Sequence, residues 1–212
     1  MMKKLIVCAI AVGILLANST AMAAITVTVD PDAFAAGTVL NNAYPGVTLS
    51  ALGDAGVLTN SDVLAIDSPY ASTGSKVFGD NESGNIASWW GDGGWDYLRA
   101  DFSSGAMWVS LDFITNDSGG DNNAELIAYN SSGVEIDRDG PHFVSSPEGT
   151  FLTLTVTGPG IAYIEAYWDE ISRSENGALD NLRFEAIPAP GAILLGSIGL
   201  GLVNWLRRRR TL

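Results

Sequence analysis

From Ile25 to Glu185, apolar residues recur at every second position, in short runs broken by Gly, Pro, Asn, Asp and Ser. A period of two puts successive side chains on opposite sides of a pleated strand, so each run offers one face to a core and the other to polar surroundings. No stretch in this region has the wider apolar spacing and the capping residues of a helix. A chain of this kind must bury its apolar faces by packing strands against strands.

The runs are Ile25–Val29, Val47–Leu49 after a Tyr44-Pro45-Gly46 turn, Asp62–Ile66, Ser75–Phe78, Asp96–Phe102, Ala106–Phe113, Ala124–Tyr129, Val134–Asp137, Thr150–Thr157, Ile161–Trp168 and Ala178–Glu185. Ser103-Ser104-Gly105, Asn130–Gly133 and Gly158-Pro159-Gly160 read as tight turns between neighbouring runs. Asp80–Gly94, Asn116–Asn123, Pro141–Gly149 and Asp169–Gly177 read as polar loops. About ten short strands, with turns roughly every eight to twelve residues, predict an all-β fold: a single antiparallel β-sandwich, jelly-roll-like in form.

Both ends differ in character. Met1–Lys4 is basic, Leu5–Leu16 is apolar, and Ala21-Met22-Ala23 is an A-x-A cleavage site. Residues 1–23 are therefore expected to be a signal peptide removed by signal peptidase. Cys8 is the only cysteine and lies inside that leader. The exported domain then has no disulfide, thiol nucleophile or cysteine metal ligand.

At the other end, Pro188-Ala189-Pro190 precedes an uncharged run, Gly191–Leu206, followed by Arg207, Arg208, Arg209 and Arg210. As a helix the run spans roughly 24 Å, short of a hydrocarbon core of about 30 Å. Trp205 suits the headgroup level, and the arginines reach the phosphates and stay in the cytoplasm. Gly191, Gly196, Ser197, Gly199 and Gly201 form a small-residue face on which another membrane helix can pack. Read by itself, the segment is a single-span anchor. The Pro-rich motif, glycine-studded helix and arginine block together resemble the PEP-CTERM sorting signal, with Ala189 standing where that family's motif has glutamate. The resemblance implies recognition by exosortase, a membrane protease. It further implies a membrane-tethered precursor destined for the cell surface or extracellular matrix of a Gram-negative-type bacterium.

Between the two ends, Ile25–Ile187 is roughly 160 residues, enough for one domain with a sizeable core. It holds only five basic residues (Lys76, Arg99, Arg138, Arg173, Arg183) against all 24 acidic ones, a net charge near −19. Such a surface repels nucleic acid and anionic lipid, stays soluble outside a cell, and attracts divalent cations. The runs VSLDF, ELIAYNSSGVEI, FLTLTVT, IAYIEAY and ALDNLRF resemble the β-sandwich ectodomains of PEP-CTERM proteins, which are in turn similar to jelly-roll carbohydrate-binding modules. An extracellular polysaccharide is the ligand class this implies.

Parity sorts the candidate ligand-binding residues. In Met107–Phe113, the residues Met107, Val109, Leu111 and Phe113 are expected in the core, and Trp108, Ser110 and Asp112 on a solvent face. Tyr163, Glu165 and Tyr167 likewise share one side of their strand, opposite Ile164, Ala166 and Trp168. An indole or phenol offers a flat apolar surface to a sugar ring while flanking hydroxyls and carboxylates hold its hydroxyl groups. Trp89, Trp90 and Trp95, in and beside the glycine-rich loop, are a second aromatic candidate. Each of these aromatics also suits plain packing.

The resemblance to jelly-roll modules also implies structural calcium, held by Asp180 at the start of the last strand with Asp30 and Asp32 near the first. Calcium's preference for several oxygen ligands suits such a set. The same Asp180 could simply cap its strand through an Asx turn.

No catalytic residue is assigned. His142 is the only histidine, which excludes H-E-x-x-H, and no G-x-S-x-G is present. A serine triad around His142 would have no supporting motif, and Asp112 and Glu165 could meet across a face as the carboxylate pair of a glycoside hydrolase. A structural matrix or adhesion protein without a discrete ligand site is the alternative to a binding module.

Overall fold

The structure is a computed structural model that describes residues 25–53, 62–82, 85–87, 97–115, 123–144, 147–168, 177–187 and 199. Ile25–Ile187 forms one compact unit. Its elements are β1 (Ile25–Val29), β2 (Val47–Leu52), β3 (Val63–Asp67), β4 (Lys76–Glu82), β5 (Asn85–Ala87), β6 (Tyr97–Thr115), β7 (Asn123–Tyr129), β8 (Glu135–Phe143), β9 (Phe151–Trp168) and β10 (Gly177–Ala186). One turn of 3-10 helix, Pro31–Ala33, follows β1.

All ten strands join one antiparallel sheet in the order β3-β4-β10-β6-β9-β7-β8, with β1 on β10, β2 on β6 and β5 on β4. Two strands organise it. β6 and β9 run 19 and 18 residues and pair along their length, from Leu98 opposite Ala166 to Ile114 opposite Phe151. Each joins two runs expected to be separate strands. Ser103-Ser104-Gly105 and Gly158-Pro159-Gly160 bend their strands without reversing them.

The reason lies in the two glycines. Gly105 (φ +77°) and Gly160 (φ +73°) both adopt left-handed backbone. A Cβ on Gly105 would stand 3.5 Å from Gly160 Cα, so the bends lie side by side and the ribbon turns as a pair. The register slips there, between Asp101 and Ala106 and again between Ala106 and Trp108. Bulges with left-handed glycine are a common way to bend a sheet.

Beyond the bend each half of the ribbon has its own neighbours. Tyr97–Phe102 pairs with β2, and Ile161–Trp168 with Tyr97–Ala106 and β7. The other half of β6 pairs with β10. The halves face each other across one core. Phe102 meets Phe184 at 4.8 Å between ring centroids, and Phe113 meets Trp168 edge-on at 5.5 Å. Leu49, Leu98, Val109, Leu111, Leu126 and Ile164 fill the rest and are buried. This is a two-layer arrangement of the sandwich kind.

The second slip has a local consequence. It turns Ala106 into the core and leaves Met107 43 % exposed, whereas parity alone sends Met107 inward.

Candidate functional site

Because both halves turn their apolar side chains to one core, their polar sides look away from each other. The outer face of the half built from β2, β6, β9, β7 and β8 is laid out in three rows by the strand register. The first is Thr48, Asp101, Tyr163, Tyr129 and Glu135. The second is Ser50, Arg99, Glu165, Ile127 and Arg138. In the third, Tyr97 stacks on Tyr167, which lies opposite Glu125. Tyr163, Glu165 and Tyr167 thus share a face, as their parity requires.

Arg99 is the hub. Its guanidinium forms a forked pair with Asp101 at 2.7 and 2.9 Å, lies 3.6 Å from Glu165, and sits 3.7 Å above the Tyr163 ring. Forked charge-assisted bonds and a cation over an aromatic face both favour arginine over lysine. Tyr167 donates its hydroxyl to Glu165 at 2.7 Å. Arg138 bridges Glu125 and Glu135.

Burial pushes the Tyr129, Tyr163 and Tyr167 phenols up, and the neighbouring Glu165 pushes them further, so all three remain hydroxyl donors. The bond to Asp101 holds Arg99 charged. The face therefore carries hydroxyls, guanidinium forks and carboxylates within reach of one another. Its exposure is partial: the Arg99 side chain is 26 % exposed and that of Glu165 12 %. Arg99, Asp101, Tyr129, Glu125 and Arg138 were not among the expected site residues. Parity in Asp96–Phe102 and Ala124–Tyr129 already sets Arg99, Asp101 and Tyr129 against buried Leu98, Ala100 and Ala128, and that signal could have found them.

Trp108, Ser110 and Asp112 belong to the other half-sheet, and the expected solvent face is corrected there. Trp108 is half-buried, while Ser110 and Asp112 are buried. The segment linking β3 to β4 crosses over Asp112. Tyr70 and Ala71 pack on a small apolar cluster of Val77, Ile114 and Ala178, and Ser72 reaches Asp112. Asp112 also accepts bonds from Thr153 (2.6 Å) and Asn181 (3.1 Å). Asp112 and Glu165, on the outer sides of opposite halves, do not flank a common cleft.

Asp180 lies directly opposite Asp112 on the neighbouring strand. One of its oxygens takes the Thr73 amide at 3.1 Å and the Ser72 hydroxyl at 2.9 Å. Burial pushes its carboxyl up to about 6, against the pull of those bonds. Asp30 caps the 3-10 turn by accepting from the Asp32 amide, and Asp32 accepts from the Ser75 amide. Asp180 and Asp32 thus clamp the same crossing segment.

Asp180 Oδ1 and Asp32 Oδ2 are buried without a partner, which a hard cation would favour. However, among the described residues no three His, Cys, Asp or Glu side chains gather as metal ligands. The free Asp32 oxygen lies against Gly74, where a Cβ would stand only 1.9 Å away. The other oxygens of the expected calcium residues Asp30, Asp32 and Asp180 are turned to the Asp32, Ser75 and Thr73 amides.

Trp89, Trp90 and Trp95 lie outside the described residues, as do Pro188, Ala189, Pro190 and Arg207–Arg210 and the expected signal peptide. Among the described residues no helix is long and apolar enough to cross a membrane. His142 pairs with Asp139 at 2.7 Å on β8 and is half exposed.

No protein-family model and no curated protein matches the chain. Solved structures similar to it include the following. The K2 cleaved adhesin domain of Lys-gingipain shares 17 % identity over 76 % of this chain and 99 % of its own, with a TM-score of 0.47. The C-terminal family 22 carbohydrate-binding module of Clostridium thermocellum Xyn10B shares 14 % over 73 % and 94 %, with a TM-score of 0.39. The arabinose-bound α-L-arabinofuranosidase MgGH51 shares 10 % over 71 % of this chain and 24 % of its own, with a TM-score of 0.40. These are distant likenesses and transfer no ligand.

Proposed function

We propose that Ile25–Ile187 is a non-catalytic carbohydrate-binding module of an exported protein, acting at a cell surface or in an extracellular polysaccharide matrix. One observation carries this reading. Strand register brings Arg99, Tyr163, Glu165, Tyr129 and Tyr167 from three strands onto one partly exposed polar and aromatic face. Rigid strands hold these groups in place, as recognition of a hydroxyl-rich ligand requires.

Export and sorting rest on the chain ends. The leader ending at Ala21-Met22-Ala23 suits signal peptidase, and Pro188-Ala189-Pro190 with Arg207–Arg210 suits an exosortase-type membrane protease. Mass spectrometry of the exported protein tests this. A mature start at Ala24 and an end near Pro190 are expected, and an intact Arg207–Arg210 tail would leave a plain anchor.

Affinity electrophoresis and a glycan array test the module, with calcium and with chelator. Saturable binding that Arg99→Ala abolishes and Trp108→Ala retains is the expected result. A second reading, an adhesion or matrix protein without a discrete ligand site, draws on the mutual pairing of the charged groups on this face. Absence of glycan binding by the folded domain would favour it.

A further inference from the structure

The tyrosines of this face stand on edge. Tyr129 and Tyr163 are directly opposite on adjacent strands, with ring centroids 4.8 Å apart and planes 15° apart. That separation equals the spacing of neighbouring strands, about 4.8 Å. The rings therefore rise from the sheet with their faces turned to each other and their edges outward. Tyr97 and Tyr167 repeat the geometry at 4.2 Å and 27°.

Tyr163 is enclosed on both sides. β9 runs between β6 and β7, so Arg99 covers the ring from one side at 3.7 Å and Tyr129 from the other. A sugar cannot lie flat on a ring whose two faces are occupied. What the face presents outward is polar: phenol edges and the flank of the Arg99–Asp101 pair beside the Glu165 carboxylate.

The charges also select. Arg99 and Arg138 alternate with Asp101, Glu125, Glu135 and Glu165 on a domain with only five basic residues against 24 acids. An anionic glycan meets the excess of carboxylates, and a cationic one meets a guanidinium in the middle row. Uncharged vicinal hydroxyls, each both donor and acceptor, match closely alternating donors and acceptors.

Resting on the module reading above, we infer that the face takes an uncharged polysaccharide and holds it by hydrogen bonds at the edges of upright tyrosines, centred on Arg99 and Tyr163, without stacking a sugar on a ring. Water-competent donors and acceptors in a rigid row give orientation and selectivity, while the stacked rings supply stiffness.

The test uses the Ile25–Ile187 domain, which contains every strand pairing and the whole core described. Titration calorimetry compares xylan and mannan with alginate and with chitosan oligomers of matched length. Uncharged glycans are expected to bind and the charged ones not. Tyr163→Phe keeps the stacked ring and removes the hydroxyl, and Arg99→Lys keeps the charge and removes the fork. Each is expected to weaken binding about tenfold, the scale of one hydrogen bond to a charged or well-placed partner.

Circular dichroism and the melting temperature establish that the variants are folded. Preference for alginate or chitosan would overturn the inference and leave the module reading standing. So would full-strength binding by Tyr163→Phe alongside loss in a folded Tyr163→Ala. Absence of binding to all four glycans would overturn both.

Discussion

Asp112 and Asp180 stand opposite each other on β6 and β10, both buried, and both meet the same hydroxyl, Ser72 Oγ, at 2.7 and 2.9 Å. A hydroxyl donates one proton, so Ser72 serves one of the two carboxyl groups at a time. Below about pH 6 a proton on Asp180 relieves that competition and leaves the Ser72 hydroxyl to Asp112.

A pH dependence of stability follows from that proton. In the fold, burial holds the Asp180 carboxyl at about 6, above its ordinary 3.8. Folding therefore takes up a proton between these values. The stabilisation is fully present below the ordinary value and is lost as pH rises through 6, a difference of about 3 kcal/mol at most. Thermal melts of the domain should show stability rising as pH falls from 7 towards 5. Asp180→Asn keeps the shape, carries its own donor and should flatten that slope. An unchanged slope in Asp180→Asn would place the titrating group elsewhere.

Asn181 supports the same pair through an unusual backbone. It has φ +57° at the point where the β10–β6 register shifts, and its amide donates to Asp112 at 3.1 Å. Asparagine tolerates the left-handed region better than most residues. Asn181→Ala loses a buried hydrogen bond and adds left-handed strain, together about 2–4 kcal/mol. Asn181→Gly loses the bond alone and should recover about 1 kcal/mol of that. Urea denaturation distinguishes them. Equal stability of the two variants would show that the backbone contributes nothing.

Gly177 is required by the core it borders. A Cβ there would stand 2.3 Å from Trp168 Cε2 and 2.7 Å from the Ile114 carbonyl oxygen. An indole and a strand backbone have little room to yield, so Gly177→Ala should cost about 1–3 kcal/mol. Near-ultraviolet circular dichroism should change as well, because Trp168 packs edge-on against Phe113. A variant as stable as the parent, with the same aromatic signal, would contradict this.

How much was legible depended on whether the signal was local. The parity of Tyr163, Glu165 and Tyr167 is a property of one strand, and the structure keeps it. The partnership of Arg99 with Tyr163 joins residues more than sixty positions apart, and no short-range pattern encodes which strand lies beside which. Ser103-Ser104-Gly105 has the composition of a reversing turn. It becomes a bend because Gly160 lies alongside, a condition invisible within either run. Parity placed Asp112 outward on its strand, and it does point away from the core. The crossing segment with Ser72 then buries it, and such coverage is decided by tertiary contacts.

β9 pairs with β7 over only part of its length. Its second half pairs with β7, but the amides of Thr155 and Thr157 in its first half have carboxylates as partners: Asp139 at 2.7 Å and Asp137 at 2.6 Å. Both acids come from β8, so side chains stand in for a missing strand. Unpaired edge amides are templates for pairing with another chain, and negative charge along the edge discourages that. Asp137→Ala with Asp139→Ala should expose both amides. Their hydrogen exchange should quicken, and the domain should associate as its concentration rises, seen by light scattering after size exclusion. Asp137→Asn with Asp139→Asn keeps an acceptor at each amide and should preserve protection while weakening the charge barrier. If the alanine variant stayed monomeric with unchanged exchange at Thr155 and Thr157, these carboxylates would not guard the edge.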